Sequence, residues 1–143
     1  MAENRSILLV EDNPMDLDLT LRAFARRKIT NKIEVARDGQ EALDFIGAWE
    51  AGAEVPLVIL LDVHLPKVDG LEVLRCLRAH ARFGTIPVVM LTTSAEMEDI
   101  RQAYALGANS YIVKPVDFDK FVDVAAQIDL YWTVLNRPLS VPS

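Results

Sequence analysis

Leu57-Val58-Ile59-Leu60-Leu61-Asp62 is an unbroken apolar run closed by an acid, and its reading decides the fold. A strand that is apolar at every position has no solvent face, so it belongs in a parallel sheet covered on both sides. Ile7-Leu8-Leu9-Val10 and Val88-Val89-Met90-Leu91 repeat the pattern, and Ile33-Glu34-Val35-Ala36 and Tyr111-Ile112-Val113 read as two further strands. Segments of helical period lie between and after them, at about 15–27, 39–49, 70–79, 97–106 and 118–135. Five strand–helix repeats predict an open α/β sheet. Asn13-Pro14-Met15-Asp16 reads as a helix start, with Asn as cap, Pro at the first helical position and an acid in the first turn. Gly107 after Leu106 suits a left-handed helix end.

In open α/β sheets, ligands bind beyond the carboxyl ends of the strands, where strand order reverses. Glu11 and Asp12 follow the first strand, Asp62 the third, Thr92 the fourth, and Lys114 with Pro115 the fifth. Acids crowded on one edge repel one another, and a hard cation with oxygen ligands is what makes them tolerable there. Mg²⁺ suits a few carboxylates together with water and phosphate oxygens. A carboxylate can also be the nucleophile, forming an aspartyl phosphate, while an ammonium and a hydroxyl neutralise and orient the transferred oxygens. Taken alone, a strand-end Asp is commonly a turn or cap acid, and Glu11 and Asp12 could merely face a helix dipole. Those readings explain the acids but not the lysine and hydroxyl set against them. Thr92 and Thr93 point to opposite faces by alternation, and both are candidates on that ground.

At 143 residues the chain fits one domain, with 1–135 as its body and 136–143 as a tail holding two prolines. Apolar content of 51% and charged content of 25% are those of a globular protein, and no apolar run approaches the length of a membrane helix. No signal-peptide pattern opens the chain, and the single cysteine, Cys76, cannot form an internal disulfide, which together suggest a cytoplasmic setting. A formal charge of −6 argues against direct binding of nucleic acid. No membrane association is expected.

The residues resemble the receiver domains of two-component response regulators. The resemblance rests on Val10-Glu11-Asp12-Asn13, Leu61-Asp62-Val63-His64-Leu65-Pro66, Gly70, Leu91-Thr92-Thr93 and Tyr111-Ile112-Val113-Lys114-Pro115, and covers about 6–134. The spacings agree as well: 30 residues from Asp62 to Thr92 and 52 from Asp62 to Lys114, which favours Thr92 over Thr93. It implies a flavodoxin-like (βα)5 three-layer sandwich with strand order 2-1-3-4-5. It also implies a stand-alone regulator, not an enzyme, that takes a phosphoryl group from a sensor histidine kinase on Asp62. Beyond self-phosphorylation from a donor and slow self-dephosphorylation, no catalysis is implied.

By matching position, Asp12 and Asp62 would bind Mg²⁺ directly, Glu11 largely through water, and His64 through its backbone carbonyl. Thr92 and Lys114 would bond phosphoryl oxygens, Tyr111 would be an aromatic switch coupled to Thr92, and the bond before Pro115 would be cis. The side chain of His64 is expected to face solvent. Haloacid dehalogenase-type phosphatases, a rival class, need a second Asp two residues after the nucleophile, where this chain has His64.

The last helical segment carries a broad apolar band from Phe118 through Tyr131 and Trp132 to Leu135. It suggests a homodimer through the fourth helix, fifth strand and fifth helix, with Tyr131 and Trp132 at its centre; packing under the tail near Leu139 is the alternative. A downstream protein target is expected in addition. Within the family, the resemblance leans toward single-domain regulators that partner bacterial phytochrome kinases.

Overall fold

The computed structural model describes residues 5–27, 29–93, 97–128 and 130. Along it run β1 (Ile7–Val10), α1 (Pro14–Arg26), β2 (Ile33–Ala36), α2 (Gly39–Glu50) and β3 (Val58–Asp62), then α3 (Gly70–Arg78), β4 (Val88–Thr92), α4 (Met97–Ala105), β5 (Ser110–Val113) and α5 (Phe118–Gln127). The strands form one sheet in the order β2-β1-β3-β4-β5, with every neighbouring pair parallel. This is the expected doubly wound order. Strand order reverses at β1 and β3, so the crevice beyond Val10 and Asp62 is the place to look for a site.

The apolar runs behave as their pattern demands. Alternate residues of the central strands serve opposite faces: Leu9, Leu60 and Leu91 pack with Phe24 of α1 and Phe121 of α5. Val10, Leu61 and Met90 pack with Trp49 of α2, Leu74 of α3 and Ala103 of α4. Phe24 and Phe121 meet with ring centroids 4.8 Å apart, joining α1 to α5 under the sheet. Truncating either to Ala would cost about 3–5 kcal/mol.

Helix starts follow the local chemistry. Asn13 accepts from the Met15 and Asp16 amides at 2.8 and 3.1 Å, and Asp38, Asp69 and Asp117 cap α2, α3 and α5 in the same way. At the end of α4, Gly107 has φ +105°, and the Ala108 amide reaches back to the Ala103 carbonyl at 2.9 Å. That is a Schellman closure, which needs a residue free to adopt a left-handed backbone.

The fifth helix departs from expectation. It ends at Gln127, capped by Ile128; of the segment expected to run to 135, residues 129 and 131–135 lie outside the described residues. Its apolar band is also turned inward: Phe121, Val124, Ala125 and Leu130 are buried, with Phe118 and Ile128 packed beside them. The width of the band reflects contact with both the sheet and α1. Tyr131 and Trp132, the expected centre of an interface, lie outside the described residues.

Candidate phosphoryl and metal site

Asp62 and Thr92 are the last residues of β3 and β4, so the sheet ladder itself sets their backbones; Asp62 pairs in register with Leu91, and Thr92 with Val113. Both are buried, as is Glu11, whereas Asp12 is exposed. One carboxylate oxygen from each of Glu11, Asp12 and Asp62 lies within 4.8 Å of the others. Lys114 reaches into this group from β5. Its ammonium lies 2.7 Å from Asp62 Oδ2, 3.1 Å from Glu11 Oε1 and 3.3 Å from Asp16 Oδ2. The peptide bond from Lys114 to Pro115 is cis, and the Lys114 amide donates to the Thr92 carbonyl at 2.7 Å.

The charges are out of balance. Burial first, then the hydrogen bond and charge of Asp62, push the Glu11 carboxyl up to about 7, against the opposing pull of the Asn13 amide and Lys114. Burial alone would lower the Lys114 ammonium, but the bond and charge of Asp62, followed by those of Glu11, hold it above its ordinary value. One ammonium therefore serves more carboxylates than it can neutralise. A cluster of hard oxygen donors with charge to spare, open to water on the Asp12 side, fits a small divalent cation.

Other groups hold Asp62 in place. The His64 amide donates to Asp62 Oδ1 at 3.2 Å, so each Asp62 oxygen has a donor of its own. The Thr92 hydroxyl donates to the Thr93 carbonyl at 3.0 Å. Gly70 is required here: a Cβ on it would lie 2.0 Å from the Asp62 carbonyl oxygen, and its amide donates to the Val63 carbonyl at 2.9 Å.

The structure thus gathers Glu11, Asp12, Asp62 and Lys114, with Thr92 on the neighbouring strand. Tyr111 stands apart on the sheet edge, half-buried, its ring edge-on to Tyr104 of α4 at 6.3 Å between centroids. The imidazole of His64 is 58% exposed, as expected of a side chain turned outward, but it is engaged, lying 3.5 Å from Asp69 Oδ1 and 3.0 Å from Asp99 Oδ2. Asp16, Asp69 and Asp99 were not among the sequence candidates. Asp16 was read only as a first-turn helix acid, and its i+4 offset from Asp12 along the start of α1 is the one signal that could have drawn it in.

Known proteins share the fold and much of the sequence. A family model described as the response regulator receiver domain matches residues 7–126. The chain is 46% identical over 132 residues to the probable methanogenesis regulatory protein FilR2 of Methanothrix harundinacea, covering 92% of this chain and 85% of that protein. The solved structure of the bacteriophytochrome response regulator AtBRR superposes with a TM-score of 0.82 at 46% identity, covering 93% of this chain and 98% of that one. The Mn²⁺-bound form of response regulator Rcp1 superposes at 0.72 with 34% identity, covering 96% and 99%.

Proposed function

This chain belongs to the response regulator receiver domain family, and from that premise we propose that Asp62 accepts a phosphoryl group from a histidine kinase and that the chain works as a stand-alone regulator. The observation that carries the reading is the Asp62 carboxylate, buried at a strand end and held by the Lys114 ammonium on one oxygen and the His64 amide on the other. An Asp62 oxygen forms the new O–P bond as the N–P bond of a phosphohistidine breaks, and the electron pair leaves with the imidazole nitrogen. Lys114 then exchanges a carboxylate partner for a phosphoryl oxygen, and the Thr92 hydroxyl turns from the Thr93 carbonyl toward another.

Glu11, Asp12 and Asp62, with the His64 carbonyl, would hold Mg²⁺, which supplies neutralisation of phosphoryl charge when bound. The donor chemistry and the Mn²⁺-bound Rcp1 structure support this assignment.

The kinase is proposed to be a bacterial phytochrome, in view of the likeness to AtBRR. Output passes through Thr92 and Tyr111 to α4, β5 and α5, and from there to a second copy or a downstream protein. Tyr104, 47% exposed on α4, supports a contact surface on that face. The setting is proposed to be cytoplasmic; among the described residues no helix is long and apolar enough to cross a membrane. The reading is tested by incubating the chain with a phosphorylated phytochrome kinase. Label should move to the wild type and not to Asp62→Asn; transfer to both, or to neither, would reject it.

A further inference from the structure

The loop at 63–69, between β3 and α3, is tied at its start to Asp62, whose Oδ1 accepts from the His64 amide at 3.2 Å. Its far end rests on α2. A Cβ on Gly39, the first residue of α2, would stand 1.7 Å from the Val68 carbonyl oxygen and 2.7 Å from Val68 Cβ. The Gly39 amide donates to the Pro66 carbonyl at 3.2 Å, and the Val68 amide donates to the same oxygen at 2.8 Å. The second of these bonds closes a three-residue turn around Lys67, whose φ of 69° is unusual for a residue with a side chain. Lys67 Nζ in turn lies 3.5 Å from Asp38 Oδ2, the cap of α2. Lys67 is 68% exposed, so this ion pair adds little, and the seating depends on the missing side chain at position 39.

We propose that Gly39 is a positioning residue for the divalent cation: it lets the 63–69 loop seat on the first turn of α2 and so sets where the His64 carbonyl stands. The inference rests on the reading of His64 as a backbone ligand. It also ties cation binding to a helix that contributes no ligand. No side chain at position 39 fits without moving Val68, and a loop shifted there carries the His64 carbonyl with it, whereas Glu11, Asp12 and Lys114 lie on other segments.

The test compares Gly39→Ala with Gly47→Ala, a substitution on the same helix at a position with nothing within 4 Å. Mn²⁺ affinity is read by electron paramagnetic resonance, and acetyl phosphate-dependent phosphorylation is followed across a Mg²⁺ titration. Gly39→Ala should weaken Mn²⁺ binding roughly tenfold. It should raise the Mg²⁺ needed for half-maximal phosphorylation by a similar factor while leaving the rate at saturating Mg²⁺ near that of wild type, and Gly47→Ala should change neither. A folded Gly39→Ala with affinity within about twofold of wild type would overturn the inference while sparing the metal reading. If Gly39→Ala does not fold, amide exchange in the wild type decides. Mg²⁺ should slow exchange at Gly39 and Val68 but not at Gly47, and no slowing on confirmed binding would overturn the inference. Failure of the wild type to bind either ion would overturn the metal reading itself, and the inference with it.

Discussion

Lys114 Nζ stands 2.7 Å from Asp62 Oδ2 with both side chains almost fully buried, so the proposed acceptor rests in an ion pair. The same ammonium touches Glu11 and Asp16, which makes it the hub of the acid cluster.

Removing that hub leaves buried carboxylates facing one another. Lys114→Met should cost about 3 kcal/mol at pH 8 without divalent ions, as expected when one partner of a buried pair is deleted. Urea unfolding would read the loss, and added Mg²⁺ should recover part of it. A loss below about 1 kcal/mol would mean that the pair behaves like an exposed one.

Glu11 sets a pH dependence. Its carboxyl is pushed from 4.5 up to about 7, so between those values the folded chain holds a proton that the unfolded chain has released. Its contribution to stability is full below pH 4.5 and is lost as pH rises toward 7. Glu11→Gln should therefore be more stable than wild type at pH 8, by on the order of 3 kcal/mol, with the gap closing toward pH 4.5. Cation affinity should run the other way, rising through pH 7 in the wild type as Glu11 ionises and staying flatter in Glu11→Gln. Calorimetry in two buffers would show the released proton.

Tyr111 and Tyr104 meet edge-on, at 83° between ring planes. If Tyr111 turns when Thr92 moves to the phosphate, that contact breaks. A fluorotyrosine signal from position 104 should shift on addition of acetyl phosphate and Mg²⁺. Thr92→Ala should still take up phosphate without the shift; an equal shift would separate Thr92 from the switch.

The α4–β5–α5 face should support a dimer, seen by sedimentation and weakened by Tyr104→Arg. A monomer at high concentration, with and without a phosphate mimic, would remove that proposal.

Much of this was legible in order. Apolar runs such as Leu57 to Leu61 declare buried parallel strands because their hydropathy has no alternative home, and Asn13-Pro14 and Gly107 mark helix ends by local backbone chemistry. Glu11, Asp12, Asp62, Thr92 and Lys114 could be named because each ends or closely follows a strand. Asp16 could not: its partner, Lys114, is 98 residues away, and the two meet only once the chain has folded. Asp99 meets His64 for the same kind of reason, through the placement of α4. The inward turn of the α5 band was missed because an inward-facing apolar band and an outward-facing one read alike in sequence.

Intact mass spectrometry after incubation with acetyl phosphate and Mg²⁺ tests the central claim most directly. The wild type should gain a single phosphoryl group, located on Asp62 by peptide mapping, and Asp62→Asn should gain none. No gain in the wild type, or an equal gain in Asp62→Asn, would contradict the assignment of Asp62 as the acceptor.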